Sequence, residues 1–187
     1  MKNLILTIAF AILVISSSAQ SFDGVPIEGD LPTAVTRFKA KGYTVDKYFD
    51  RGVQLKGKVA NNDIQIFLFT TPTSKKIFKL VGYFDTETSW YSLKAAYDRM
   101  LEKLEIKYGA PDSKKAEFIT PYYYGDGYEL QAVSLEKTNF YCNWYNRDNL
   151  TLGLEISKYK QVKLTYENDK MMAIKEAEQQ KIDNNSF

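Results

Sequence analysis

Residues Trp90 to Tyr108 carry the longest uninterrupted helical period of the chain, and strand-like segments lie on both sides of them. Trp90, Leu93, Tyr97, Leu101, Leu104 and Tyr108 recur every three or four residues, so they form one stripe down a helix. Ser89 occupies the N-cap position. Gly109 occupies the position of a left-handed C-cap, with Pro111 just beyond. A helix with one apolar stripe needs a surface to cover, and the alternating segments around it supply a sheet. The fold class that follows is α+β.

Ahead of this helix, Phe22 to Gly29 reads as an extended lead-in. Asp30 caps a short helix with Pro32 in its first turn, an apolar face of Leu31, Val35 and Phe38, and Gly42 at its end. Tyr43 to Asp50 reads equally as strand or loop. Val53 to Ala60 alternates, with Val53, Leu55, Gly57 and Val59 on one side. Asn61, Asn62 and Asp63 are turn residues, and Ile64, Ile66 and Leu68 alternate after them, which predicts a β-hairpin. Ile77 to Phe84 is a third strand, close enough for antiparallel pairing.

Beyond Pro111, Asp112 to Lys115 reads as a polar link and Phe118 to Thr120 as the start of a strand. Leu130 to Leu135, Asn139 to Tyr145, Leu150 to Ile156 and Gln161 to Tyr166 read as strands, with a polar turn at Asn146 to Asn149. Lys170 to Ile182 reads as a polar helix that packs near Met171, Met172 and Ile174, with a frayed end from Asp183.

The order helix, glycine, hairpin, further strand thus occurs twice. Val59 to Ile66 lines up with Tyr145 to Leu152, and Leu80 to Tyr83 with Lys163 to Tyr166. The expected architecture is two tandem helix-plus-antiparallel-sheet repeats, residues 20–87 and 88–168, with helices on one face of the sheet or sheets. An extra C-terminal helix and tail occupies 169–187. With Gly24-Val25-Pro26-Ile27-Glu28-Gly29, Lys41-Gly42-Tyr43 and Lys107-Tyr108-Gly109-Ala110-Pro111, this organisation resembles the β-lactamase-inhibitor-protein-like fold. It is also similar to secreted proteins of gut Bacteroidetes. The resemblance implies a small exported bacterial protein. The chain has a single cysteine where the inhibitors pair theirs, and no functional residue carries over.

The first residues read as a signal peptide. Lys2 is followed by an apolar run from Leu4 to Ile15 and by the small residues Ser16 to Ala19. Cleavage is expected after Ala19; the alternative is an uncleaved anchor, for which the run is short. The mature chain would be periplasmic or secreted, with no membrane span. It would carry 24 Lys plus Arg against 23 Asp plus Glu once Lys2 is lost. That balance does not suggest nucleic-acid binding.

There is no histidine, which removes Ser-His and Cys-His nucleophiles and histidine metal sites. Cys142 is the only cysteine and sits in an aromatic strand, so it reads as a small buried apolar side chain. Gly52 to Val59 nearly matches a phosphate-binding loop. However, Val59 stands where Ser or Thr is needed, and the segment alternates like a strand. Asp63, Asp85 and Glu87 lack calcium-loop spacing. No cofactor and no metal ligand set is expected.

The strongest binding candidate is Tyr122, Tyr123, Tyr124, Asp126 and Tyr128, an aromatic loop flexed by Gly125 and Gly127. The competing reading is a hairpin whose tyrosines pack on the sheet. Tyr141 and Tyr145 add a second set, on the strand face opposite Phe140, Cys142 and Trp144; that face reads as a platform or as core under cover. Asp126, Glu129 and Glu136 are the carboxylates nearest the loop. The reading is a non-catalytic binding or inhibitor-like module, with an unknown protein or glycan held by the aromatic loop or a sheet face. Alternatives are a carboxylate-based hydrolase and an envelope-assembly accessory protein.

Overall fold

A computed structural model describes residues 21–185. The expected signal peptide lies outside the described residues. The elements run β1 (Ser21–Phe22), β2 (Val25–Pro26), α1 (Leu31–Ala40), β3 (Thr44–Phe49), β4 (Gly52–Val59), β5 (Asn62–Thr70), β6 (Ile77–Phe84) and α2 (Trp90–Tyr108). They continue with β7 (Ser113–Phe118), α3 (Glu129–Ser134), β8 (Thr138–Trp144), β9 (Leu150–Ser157), β10 (Gln161–Asn168) and α4 (Asp169–Asn184). Strands β3 to β10 make one antiparallel sheet in the order β3-β4-β5-β6-β10-β9-β8-β7. The described residues form an α+β fold: a large antiparallel eight-stranded sheet with four helices, the last of them C-terminal to the strands. Among the described residues, no helix is long and apolar enough to cross a membrane.

Helix α2 forms where its stripe predicts. Leu93, Tyr97, Leu101 and Leu104 are buried, while Trp90 and Tyr108 are half-buried against the core. Ser89 Oγ accepts from Ser92 N–H at 3.0 Å, satisfying one of the first turn's free donors. Gly109 has the expected positive φ of 79°, but its ψ of −170° lies outside the left-handed helical well, in a region open to glycine alone. That twist presents Gly109 O to the Trp144 indole N–H at 2.8 Å. The end of α2 is tied further by Asp112, whose carboxylate accepts from Tyr145 N–H (2.7 Å) and pairs with Arg147 (3.1 Å). Those two partners hold the Asp112 carboxyl below the usual carboxylate range.

Both α1 and α2 lie on the face of the sheet built from Leu55, Ile66, Leu80, Leu154 and Leu164. Tyr97 O–H and Cys142 Sγ meet at 3.1 Å beneath α2. Near α1, Phe38 packs edge-on against Tyr43 at 5.2 Å between ring centres, and the Tyr43 ring lies over the bare backbone of Gly57. Helix α4 crosses the loops at one end of the sheet. Glu178 accepts from Thr73 N–H (2.7 Å) and Ser74 N–H, and Gln179 accepts from the Arg51 guanidinium at 3.2 Å.

Several expected elements are corrected. The stretch from Phe22 is no mere lead-in: β1 and β2 form a small hairpin that buries Phe22, Val25 and Ile27. Thr44–Phe49 is the edge strand β3, with a bulge between Val45 and Lys47. The first hairpin turns at Ala60 and Asn61, both at positive φ, and Asn62 and Asp63 belong to β5. Ser113–Phe118, expected as a link and a strand start, is one full edge strand. Leu130 to Leu135 is not a strand; Glu129–Ser134 is helix α3, which buries the adjacent pair Ala132 and Val133. Six residues are too few for periodicity to separate the two forms. Helix α4 starts at Asp169, capped by Asn168, and reaches Asn184; Met171, Met172, Lys175, Glu178 and Gln179 form its half-buried side, and Ile174 is exposed. The near-match to a phosphate loop, Gly52 to Val59, is β4, with no helix to follow it.

Burial pushes the Cys142 thiol up from its ordinary value, and the side chain is fully enclosed. An aromatic disulfide reagent at about pH 8 should therefore leave the folded protein unlabelled and label one thiol in denaturant. Labelling of the native protein at the rate of a free thiol would contradict this packing.

Candidate functional site

The sheet face opposite α1 and α2 carries the polar half of each strand's alternation, and register aligns it into rows. One row crosses all eight strands: Thr44, Lys56, Gln65, Tyr83, Lys163, Glu155, Tyr141 and Lys115. A neighbouring row runs Lys47, Gln54, Phe67, Val81, Thr165, Gly153, Asn143 and Ser113. Toward the β3 side the face is aromatic: Phe67 meets Tyr83 edge-on at 5.9 Å, and Phe69 meets Phe49 at 5.5 Å and Phe78 at 6.4 Å. Toward the β7 side it is polar and paired. Lys163 Nζ donates to Glu155 at 2.8 Å, Lys79 pairs with Glu167 at 2.7 Å, and Asn139 donates to Glu117 at 2.9 Å.

On this face a cleft of about 330 Å³ opens where the ends of β8, β9 and β10 meet. Tyr83, Tyr141, Glu155, Lys163 and Ser157 line it, with Tyr159 on the turn after β9. Alternation explains their gathering. Leu154 and Ile156 go to the core, so Glu155 and Ser157 turn away from it, and β6, β8 and β10 repeat the pattern beside them.

The expected aromatic loop is elsewhere. It joins β7 to α3 beyond the edge of the sheet, beside the start of α2. Tyr122 is half-buried, while Tyr123, Tyr124 and Tyr128 are exposed. Asp126 shapes the loop: its two oxygens accept from Tyr123 N–H (3.1 Å) and Tyr128 N–H (2.7 Å). Glu129 accepts from Gly125 N–H at 2.9 Å, and Gln131 donates to Tyr122 O–H at 3.2 Å. Tyr124 meets Trp90 edge-on at 6.4 Å between ring centres and otherwise stays exposed. Beside it lies an open depression of about 340 Å³ lined by Phe118, Lys94 and Tyr122 to Tyr124.

Of the residues read from sequence as a binding site, Tyr122, Tyr123, Tyr124, Asp126 and Tyr128 are brought together in this loop. Tyr141 lies on the other side of the sheet, in the cleft, and Tyr145 lies past the far end of β8, half-exposed. The three carboxylates do not converge. Asp126 and Glu129 hold loop backbone, and Glu136 pairs with Lys158 at 3.4 Å beside the cleft. Sequence reasoning missed Tyr83, Glu155, Ser157, Tyr159 and Lys163. Their off-core placement is visible in the alternation of β6, β9 and β10, but their proximity depends on the pairing of β6 with β10. No family model matches the chain, and neither a curated protein nor a solved structure matches it.

Proposed function

We propose that this chain is an exported, non-catalytic binding module, which holds a protein or glycan on the sheet face opposite α1 and α2. One observation carries the reading: eight strands in register present a continuous surface of aromatic and paired polar side chains away from the core helices. Its aromatic rings are half-buried against one another and not fully covered, which leaves apolar surface for a partner to stack on. The engagement of Asp126 and Glu129 with loop backbone speaks for binding over carboxylate hydrolysis. Two halves, α1-β3-β4-β5-β6 and α2-β7-β8-β9-β10, joined through their last strands, support a tandem repeat in the manner of the inhibitor-like fold. Export rests on the signal-like residues 1–19.

The test is capture of envelope proteins and glycans by three purified, folded forms: native, Phe67→Ala with Tyr83→Ala, and Tyr123→Ala with Tyr124→Ala. The face variant should lose the native partner and the loop variant should keep it. Loss in the loop variant alone would move the site to the loop. Nothing captured by the native protein would count against a binding module.

A further inference from the structure

We infer that the cleft among β8, β9 and β10 is a binding site for a short, uncharged oligosaccharide. This rests on the sheet face being the binding surface, and it names what one part of that face takes.

The cleft is electrically balanced. The charged side chains of the cleft are Glu136, Glu155, Lys158 and Lys163, two of each sign, and they are already matched in pairs: Lys163 with Glu155 at 2.8 Å, Lys158 with Glu136 at 3.4 Å. The four charges sum to zero, so an anionic or cationic ligand meets no net attraction in the cleft. A ligand of hydroxyl groups needs none, because a hydroxyl both donates and accepts and can bridge the Lys163 ammonium and the Glu155 carboxylate.

Geometry adds a second point. Tyr83, Lys163, Glu155 and Tyr141 stand side by side in one cross-strand row. Three strand spacings put the two tyrosines about 14 Å apart, with the ion pair between them. Two tyrosines flanking a polar centre suit sugar rings, which have apolar C–H faces and polar rims; a rigid tyrosine offers such contact at low entropy cost. At about 330 Å³ the cleft also has the size of a small ligand site.

The third observation is an unmet hydrogen bond. Ser157 is 8% exposed, lines the cleft, and its Oγ has no hydrogen-bond partner among the described residues. A buried hydroxyl without a partner is uncommon in native proteins; the Oγ is itself closed to solvent, and a turn of the side chain to a rotamer facing the cleft would let a ligand hydroxyl supply the partner.

The test uses the purified protein on an array of neutral and anionic oligosaccharides, then titration of the best-bound glycan into native, Tyr141→Ala and Ser157→Ala forms. Neutral glycans should be retained and anionic ones not. Tyr141→Ala should weaken the titrated affinity tenfold or more, of the order seen when an aromatic contact is lost at a binding site. Ser157→Ala should weaken it about fivefold, one hydrogen bond's worth, while leaving the melting temperature unchanged or raised, since it removes an unpartnered group from the free protein. A blank array, a preference for anionic glycans, or equal affinity in all three forms would overturn the inference. If the array is blank while the face still captures an envelope protein, the oligosaccharide falls and the binding-module reading stands. If nothing is captured either, both fall.

Discussion

Replacing Trp144 with alanine is expected to destabilise the protein by about 3–5 kcal/mol, the range for emptying a large aromatic from a packed core. Trp144 is fully buried as the last residue of β8, and its indole N–H is the donor to Gly109 O. Two losses therefore coincide: the volume under the end of α2, and the partner of a carbonyl that Gly109's backbone twist has aimed at it. Trp144→Phe separates them. It retains most of the volume and should cost about 1–3 kcal/mol, the effect of an orphaned acceptor and a small void. Urea unfolding of the three forms checks this. With total stability of small domains at about 5–15 kcal/mol, the alanine form should lose a large part of its midpoint. If both variants cost the same, the hydrogen bond dominates and the packing account is wrong.

Gly52→Ala is the second large effect. Gly52 opens β4 with a φ outside the left-handed region, so the cost does not come from its backbone conformation. It comes from space: an added Cβ would overlap the Phe49 ring and the backbone oxygen of Leu68. The ring can swing aside at the edge of the sheet, but the carbonyl is fixed by the β4–β5 ladder. Forcing the strands apart should cost about 1–3 kcal/mol or more, as overpacking does. It should also loosen β3, whose Phe49 stacks through that gap onto Phe69. Thermal unfolding gives the cost, and hydrogen exchange of the Thr44–Phe49 amides gives the location. Faster exchange confined to β3 with little loss of stability would show that Phe49 alone yields.

The legible parts of this fold were those where period and punctuation agree over many residues. The α2 boundaries follow from a six-member stripe between Ser89 and Gly109, and the strands β4, β5, β6, β9 and β10 follow from alternation. Segments of six residues were not legible: Glu129–Ser134 and Ser113–Phe118 have too few periods, and neighbours rather than propensity decide them. The aromatic loop was visible because its tyrosines are adjacent in the chain. The cleft was not, because Tyr83 and Tyr141 share it only through long-range pairings.

The seam between β6 and β10 has a consequence in time. Hairpins β4–β5 and β9–β10 can zip locally, but Lys79 meets Glu167 only after nearly the whole second half has been made. Until then β6, with Ile77, Leu80 and Val81 along it, is an open edge. In the finished sheet the edges are instead β3, which is bulged, and β7, which carries Lys114 and Lys115. Both features discourage strand addition. The strand most able to recruit a neighbouring chain is thus unprotected only while the protein is incomplete, and any condition that slows arrival of β10 prolongs that window.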